Sequence, residues 1–349
     1  MRFSENPLIT PADIKPTRDD FEILCVLNPA VTQYNDEILL LLRVAERPRQ
    51  QKGFISVGTI DLERNDGSYR LQHFGNGDPL LKADDPRVIS YDGITYLTSM
   101  SHLRLARSKD GKHFVVDPKP FIWPSGSEEE FGTEDARITC IDGVYYIYYV
   151  AVCRYGFSTI LIKTTDFKSY QRIGNIAHGV NKDVAIFPEK INGLYYALTR
   201  PDTGFFAKPS MWIASSPDLV YWGQHQHLFG PRKGMWDSSR IGAGTIPIKT
   251  PKGWLEIYHG ADMKHRYCLG IALLDLENPA KVLHRSKDAI LEPEAPYEIN
   301  GFFANVVFTN GAVTASKGSD EIYLYYGAAD QCVCGTALSL PDLLRGCKY

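Results

Sequence analysis

One hairpin pattern recurs along this chain and constrains its fold more than any other feature. An apolar run, an Asp-Gly or Asn-Gly pair and an aromatic run make up residues 88–96, 138–146 and 186–196, and the turn residues Asp92, Asp142 and Asn192 fall at equal intervals. Such a pair between β-rich runs is the strongest short signal for a β-hairpin. Repetition at about 40–50 residues is typical of a radial array of β-sheets.

Further hairpins extend the pattern to six units. They lie at residues 31–44, 246–259 and 312–326, and each hairpin is followed by a strand that ends near an Asp. The chain is therefore predicted to be all-β, and a β-propeller accounts for the regular spacing. A β-sandwich with several hairpins is the alternative, although a sandwich needs no fixed spacing. Because no linker or low-complexity block divides the 349 residues, we expect residues 1–349 to form a single domain.

Charge and composition exclude several classes of function. The net charge of −3 and the pI near 6.3 provide no electrostatic footprint for nucleic acid or an anionic membrane. Residues 1–11 lack the apolar segment of a secretory signal, and no run approaches the ~18 apolar residues of a transmembrane helix. The seven cysteines are odd in number and scattered, which favours reduced thiols over a zinc site. We therefore expect a cytoplasmic protein without a metal.

The residues that precede the predicted strands are unusually polar. Because the first strands of propeller blades converge on one mouth, we expect side chains at their N-terminal ends to meet there. Asp135, in the sequence GTEDAR, is the sharpest candidate, and strand alternation predicts Asp135 and Arg137 on one face and Glu134 on the other. A structural Asp–Arg pair explains this segment equally well. The other polar residues at strand entrances are Asn28, Asp85, Arg87, Lys182, Asp183, Arg240 and Asn305.

A second group of candidates is basic. The side chains concerned begin or end predicted strands, and they are Arg43, Lys182, Arg200 and Arg240, with Tyr258 and His259 closing the strand after Trp254. Arginine forks and lysine point charges suit phosphate oxygens, so the group predicts an anion pocket. Taken one at a time, each base is more often a solvated surface charge, and only the group together favours a pocket. Sequence motifs of nucleotide-binding loops, zinc proteases and serine hydrolases are absent.

Taken in order, these motifs resemble glycoside hydrolase family 130, the mannoside phosphorylases and their hydrolytic relatives. The resemblance covers nearly the whole chain and includes NPAV at 28–31, LLLRVAE at 40–46, GTEDARIT at 132–139, NKDVAIFPEKINGLYYALTRP at 181–201, RIGAGTIPIKTPKGWLEIYHGA at 240–261 and YYGAAD at 325–330. Residues 85–111 are most similar to the β-1,2-mannobiose and β-1,2-oligomannan phosphorylases. The resemblance implies a five-bladed β-propeller, with six blades as the alternative that the hairpin count leaves open.

The resemblance also implies a division of labour in the site. Asp135 would be the general acid, acting through the 3-hydroxyl of the mannosyl unit, while inorganic phosphate attacks the anomeric carbon from the opposite face. Phosphate would replace the water and the second carboxylate of an inverting glycosidase and would leave as α-mannose 1-phosphate. The implied phosphate ligands are Lys182, Arg200, Arg240, Tyr258 and His259, and the implied mannoside ligands are Asn28, Arg43, Asp85, Arg87 and Asp330.

The expected partners are accordingly a β-mannoside oligosaccharide and phosphate, the latter as a co-substrate, with no cofactor, metal, nucleic acid or membrane. Whether the protein forms a homo-oligomer stays an open question at this point.

Two other functions also stay open. A β-1,2-mannosidase on the same fold would need a base for water, and Glu256, on the same strand face as Tyr258, is a candidate. Hydrolytic members of the family are expected to lack part of the basic set, so Arg200 and Arg240 favour phosphorolysis. A non-catalytic sugar-binding propeller is the third hypothesis, because propellers host binding modules as well as enzymes.

Overall fold

Antiparallel strands make up most of the chain, whose computed structural model describes residues 1–349 except 65, 86, 203, 317, 346, 348 and 349. The prediction of an all-β fold is confirmed. Within the described residues the helical segments are short: α1 (Pro296–Ile299), α2 (Leu340–Arg345) and 3₁₀ turns at Pro11–Asp13 and Ser127–Glu129. No helix in this part of the chain is long and apolar enough to cross a membrane.

The first sheet is interrupted in sequence by residues 54–97, which form two small separate sheets and which we call the detour. After β1 (Phe21–Tyr34) and β2 (Glu37–Pro48), the chain forms a two-stranded sheet from β3 (Phe54–Ile60) and β4 (Tyr69–Gly75) and a three-stranded sheet from β5 (Leu81–Asp85), β6 (Val88–Tyr91) and β7 (Ile94–Leu97). The strand β8 (Met100–Ser108) then pairs with β2, and β9 (Val115–Val116) pairs with β8. Sheet I therefore has the order β1-β2-β8-β9.

Four further sheets follow in chain order. Sheet II contains β10 (Thr133–Ile141), β11 (Val144–Cys153), β12 (Gly156–Thr164) and β13 (Gln171–Ala177). Sheet III contains β14 (Asn181–Ile186), β15 (Tyr195–Pro201), β16 (Met211–Ser216) and β17 (Gly223–Phe229). Sheet IV contains β18 (Arg240–Ala243), β19 (Ile248–Thr250), β20 (Gly253–Ala261), β21 (Tyr267–Leu274) and β22 (Val282–Arg285). Sheet V contains β23 (Val307–Thr314), β24 (Glu321–Ala328) and β25 (Cys332–Ser339).

The hairpin turns have the backbone that their sequences predict. Asp142 and Gly143, between β10 and β11, have φ of 51° and 78°, and Asn192 has φ of 51° between β14 and β15. A two-residue hairpin turn of this kind needs positive φ at both central residues, which Asp, Asn and Gly tolerate. Asp92 turns in the same way, with φ of 49°, but it joins β6 to β7 in the detour. The expectation that its hairpin is equivalent to the other two is therefore wrong, because turn chemistry specifies a hairpin and not the sheet it joins.

The first strands of the five sheets meet along a common interior. Nδ2 of Asn28 in β1 donates a 2.9 Å hydrogen bond to Asp135 in β10, and Nδ2 of Asn310 in β23 donates to the carbonyl of Asn28 at 3.0 Å. Nε of Arg137 in β10 donates at 2.9 Å to the carbonyl of Gly244, just after β18. These bonds place polar side chains of distant segments against one another.

Apolar side chains fill the space between neighbouring sheets. Sheets I and II share a cluster that includes Leu41, Leu103, Ile138, Ile147 and Ile160, all buried. Burying one such side chain stabilises the fold by about 1.5–3 kcal/mol, so the walls around the interior are firmly held.

The N-terminal segment packs onto the last sheet. The amide of Phe3 donates to the carbonyl of Gly335 at 3.0 Å, and the amide of Leu8 donates to Val333 at 2.8 Å. Arg2 adds an ion pair of 2.7 Å with the buried carboxylate of Glu298. The N-terminal segment is therefore joined to β25 of the last sheet.

Candidate active site

Three of the first strands carry the same backbone distortion at a polar residue. Asn28 in β1, Asp135 in β10 and Asp183 in β14 have φ of 45°, 44° and 54°, and each lies where the register to the next strand shifts. A β-bulge of this kind re-aims a side chain, and bulges are common beside active sites. Here all three side chains turn towards the interior.

The bulge overturns one expectation about Asp135. Strand alternation predicted that Glu134 would face away from Asp135, yet both carboxylates contact the guanidinium of Arg43, at 2.7 and 3.1 Å. Arg137 instead reaches the carbonyls of Ala243 and Gly244. The expected Asp135–Arg137 pair is therefore wrong, because the register shift between Glu134 and Arg137 interrupts the two-residue period.

A cavity of about 500 Å³ opens at the ends of these strands. Nine of the eleven residues predicted for the site line it: Asn28, Arg43, Asp85, Arg87, Asp135, Lys182, Arg200, Arg240 and Asp330. Further lining residues that the sequence did not single out for a role are Glu134, Phe157, Asp202, Tyr267, Phe302, Phe303 and Phe308. Glu134 was visible in the GTEDAR motif, whereas the aromatic residues follow no period that would have marked them.

Asp135 is a buried acid surrounded by positive charge. In addition to Arg43, Nζ of Lys182 lies 3.5 Å from its Oδ2, and Asn28 donates to its Oδ1. Burial by itself raises the pKa of Asp135, but the charges of Arg43 and Lys182 outweigh it and lower the pKa to about 2. Asp135 is therefore ionised near pH 7.

A second carboxyl in the cavity has the opposite tendency. Removal from water raises the pKa of Asp330 to about 6, against the opposing charge of Arg43. The neighbouring charge of Asp135 acts in the same direction as burial. Asp135 and Asp330 both feel the charge of Arg43, yet their surroundings lower the pKa of the first and raise the pKa of the second.

Three cations form one side of the cavity. Nζ of Lys182 faces Asp135, and Nη1 of Arg200 lies 2.7 Å from the carboxylate of Asp183 behind it. The buried Nε of Arg240 has no hydrogen-bond partner. A hydrogen-bond donor without a partner, in a wall of positive charge, is suited to an anion because phosphate oxygens accept hydrogen bonds.

The rim of the cavity combines an ion pair with an aromatic ring. Asp85 and Arg87 pair at 2.7 Å, and the guanidinium of Arg87 lies 4.7 Å from the ring centre of Phe303. The rim therefore offers both polar groups and a flat apolar surface, which are the two features that a sugar ring contacts.

Two predicted phosphate ligands do not reach the cavity wall. The hydroxyl of Tyr258 donates to Asp237 at 2.8 Å and accepts from Arg285 at 3.0 Å, in a separate buried cluster. His259 lies behind Arg200, with Nε2 at 3.3 Å from Nη1 of that arginine. Burial lowers the pKa of His259 to about 4, so its ring is neutral near pH 7.

Glu256 does not reach the cavity either. Its side chain is fully buried, and Oε1 accepts a 2.9 Å hydrogen bond from the amide of Gly244. Burial raises its pKa well above the ordinary value. The described residues contain no group of three or more His, Cys, Asp or Glu side chains arranged to hold a metal.

Taken together, the fold and the site define an all-β protein with a polar cavity in which three cations lie near a buried carboxylate. A model of the glycosyl hydrolase 130 family, described as β-1,4-mannooligosaccharide phosphorylase, matches residues 95–348. The chain is 47% identical to a β-1,2-mannobiose phosphorylase of Listeria innocua over 99% of its length and 97% of that protein. It is 40% identical to a 1,2-β-oligomannan phosphorylase of Thermoanaerobacter over 70% of its length and 80% of that protein.

A solved structure agrees with these sequence matches. The β-1,2-mannobiose phosphorylase of Listeria innocua, in complex with β-1,2-mannobiose, superposes with a TM-score of 0.95 and 46% identity over 99% of this chain and 98% of that one. The chain belongs to glycoside hydrolase family 130.

Proposed function

We propose that this protein is an inverting phosphorylase that cleaves β-1,2-linked mannobiose and short oligomannans with inorganic phosphate and releases α-mannose 1-phosphate. The observation that carries the proposal is the carboxylate of Asp135, 3.5 Å from the ammonium of Lys182 in a cavity that Arg200 and Arg240 also line. The similarity to relatives named β-1,2-mannobiose and 1,2-β-oligomannan phosphorylases supports the substrate.

The cations take the place of a second catalytic carboxylate. An inverting glycosidase activates water with a base, whereas a phosphorylase needs a bound phosphate that is already a nucleophile. Lys182, Arg200 and Arg240 hold the phosphate so that one of its oxygens attacks the anomeric carbon. Cations placed around a transferring phosphate also stabilise the charge that moves in the transition state.

Asp135 supplies the proton to the leaving group. The proton passes through the 3-hydroxyl of the mannosyl unit to the glycosidic oxygen while the new C–O bond to phosphate forms on the opposite face. An acid with a pKa of about 2 is ionised near pH 7, but bound phosphate adds negative charge beside Lys182 and raises that pKa. Phosphate therefore prepares the acid as well as the nucleophile.

The remaining polar residues hold the sugar. Asn28, Arg43 and Asp330, on the side of the cavity next to Asp135, bind the mannosyl unit that is transferred. Asp85 and Arg87, with the ring of Phe303, bind at the rim. Phosphate is a co-substrate and not a cofactor, and the reaction as proposed needs no metal.

The architecture that we propose is a single five-bladed β-propeller over residues 1–349. Sheets I to V follow one another in chain order, their first strands share one interior, and the N-terminal segment joins the last sheet, as expected of a closed ring. The six-bladed alternative loses support because the strands of residues 85–114 divide between the detour and sheet I.

The cellular setting belongs to the same proposal. All seven cysteines are unpaired, which supports a reducing compartment, and a phosphorylated sugar is retained where it is made. We therefore assign the reaction to the cytoplasm.

The decisive experiment is cleavage of β-1,2-mannobiose with and without inorganic phosphate. We expect cleavage only with phosphate, with α-mannose 1-phosphate identified by ³¹P NMR. Equal release of free mannose in both reactions would make the protein a β-1,2-mannosidase. Binding of mannobiose without any cleavage would make it a sugar-binding protein.

A further inference from the structure

Asp183 lies directly behind the cations of the cavity, at the bulge of β14. Its side chain is fully buried, and Oδ2 lies 2.7 Å from Nη1 of Arg200 and 3.2 Å from Nε2 of His259. Nη2 of Arg137 lies 3.9 Å from Oδ1. One carboxylate thus faces two guanidinium groups and an imidazole, although no oxygen of Asp183 lines the cavity.

The backbone and its neighbour are both shaped to keep this carboxylate in place. Asp183 has φ of 54°, a left-handed conformation that a residue other than glycine keeps only where its surroundings enforce it. At Gly242 in β18, a Cβ atom would overlap the carboxylate of Asp183 and the ring of His259. Glycine at 242 therefore leaves the space that Asp183 occupies.

The charge of Asp183 balances a crowded group of cations. Although burial opposes ionisation, Arg200 and His259 hold the pKa of Asp183 well below its usual range, so the group is an anion. Without that charge, the guanidinium groups of Arg200 and Arg137 would lie near each other uncompensated. Two positive charges that lie close together in the protein interior, where water does not screen them, repel each other strongly.

We propose that Asp183 is a positioning residue of the phosphate site, whose carboxylate holds the guanidinium of Arg200 at the cavity wall. The inference rests on the proposed function, because Arg200 matters here as a ligand of the phosphate co-substrate. The ion pair with Asp183 fixes where the guanidinium of Arg200 lies, and so keeps it available to phosphate.

The direction of the effect separates positioning from simple electrostatics. Replacing Asp183 by Asn removes a negative charge near the anion site, and electrostatics alone predicts tighter phosphate binding. Loss of the ion pair that positions Arg200 predicts weaker binding. For Asp183→Asn we expect the KM for phosphate to rise about tenfold or more, because one partner of a buried charge pair is removed. The KM for β-1,2-mannobiose should change by less than about twofold.

A second variant displaces the carboxylate without removing any charge. Gly242→Ala places a methyl group where Oδ2 of Asp183 lies and so pushes the carboxylate away from Arg200. We expect the KM for phosphate to rise in the same direction as for Asp183→Asn. If Asp183→Asn fails to fold, Gly242→Ala decides the question, and an unchanged KM for phosphate overturns the inference.

Glu129→Gln is the matched control. Glu129 is also fully buried and pairs with an arginine, Arg172, at 2.6 Å, but neither residue lines the cavity. Its replacement should lower thermal stability and leave the KM for phosphate unchanged. An equal rise of that KM in Glu129→Gln would reduce the effect of Asp183 to general destabilisation.

Phosphate binding measured by titration calorimetry provides a readout that is independent of turnover. Wild-type protein that neither binds nor uses phosphate would refute the proposed function. Wild-type protein that binds phosphate, together with an Asp183→Asn variant that binds it equally well or more tightly, would refute the role of Asp183 alone.

Discussion

Two buried carboxylates in this molecule each gather two arginines, yet only one of the clusters faces the cavity. Asp183 lies near Arg200 and Arg137, and Arg200 lines the cavity. Asp237 pairs with Arg232 at 2.7 Å and with Arg285 at 2.6 Å, and neither of these arginines lines it. The two clusters have similar composition and different surroundings.

The arginines of the Asp237 cluster differ from an arginine of the cavity wall in their hydrogen-bond partners. Nη1 of Arg232 donates to the carbonyl of Ser286, and Nη1 of Arg285 donates to that of Gly230, both within 2.8 Å. These donors are used within the fold. Arg240, which lines the cavity but belongs to neither cluster, has by contrast a buried Nε without a hydrogen-bond partner. A buried donor without a partner in a cavity wall, and not the presence of a buried ion pair, distinguishes a candidate anion site from a structural cluster.

The largest expected effect concerns the acid. Asp135→Asn retains the shape of the side chain and cannot donate the proton, so kcat for mannobiose phosphorolysis should fall by about 10³-fold, within the range for general acid catalysis. Steady-state kinetics with saturating phosphate would measure it. An unchanged kcat would remove Asp135 from the reaction.

Asp237→Asn tests the structural side of the comparison. It leaves the charges of Arg232 and Arg285 buried without a counter-ion, so the free energy of unfolding should fall by about 3 kcal/mol. Denaturant unfolding measures this change. The KM for phosphate should stay at the wild-type value. A rise would mean that the Asp237 cluster also contributes to phosphate binding.

Arg240→Ala tests the cavity side. It removes a guanidinium with an unused donor, so the KM for phosphate should rise about 10- to 100-fold, as for the loss of hydrogen bonds to a charged group. Arg232→Ala is the matched control from the other cluster, and it should leave this KM unaltered. Equal effects of the two variants would contradict the distinction.

The pH dependence of stability provides a smaller test. Because the pKa of Asp330 is raised to about 6 from its ordinary value, the folded state holds that proton more tightly than the unfolded state does. This group therefore contributes stability that is lost as the pH rises from about 4 to about 6. In Asp330→Asn, stability relative to wild type should be higher at pH 7 than at pH 4. Denaturant titrations at both pH values measure it, and the opposite order would contradict the assignment.

The smallest effect is expected at Tyr258. Its hydroxyl is bonded to Asp237 and Arg285, so Tyr258→Phe should lower the free energy of unfolding by about 1 kcal/mol. The KM for phosphate should be unaltered. A tenfold rise would return Tyr258 to the phosphate site that the sequence predicted for it.

Six of the nine predicted residues that line the cavity were found because the sequence places them at the entrances of predicted strands, which a converging set of strands brings together. Asp135, Lys182 and Arg240 were found in this way, and all three line the cavity. Tyr258 and His259 were placed beside them because they close the strand after Trp254 and because the family resemblance implied phosphate ligands there. Their side chains instead face buried partners, and the resemblance to a family carried no information about those contacts.

The sequence by itself determined the local structure: the all-β class, and the hairpins whose Asp-Gly and Asn-Gly turns need only two residues with positive φ. The tertiary structure alone decided which sheet the Asp92 hairpin joins and which cation each acid meets. Asn28 contacts Asp135 across 107 positions of the chain, and Asp183 lies near Arg200 only because the bulge of β14 turns it inward. Turn chemistry acts between neighbours in sequence, whereas these charges are paired by the packing of separate sheets.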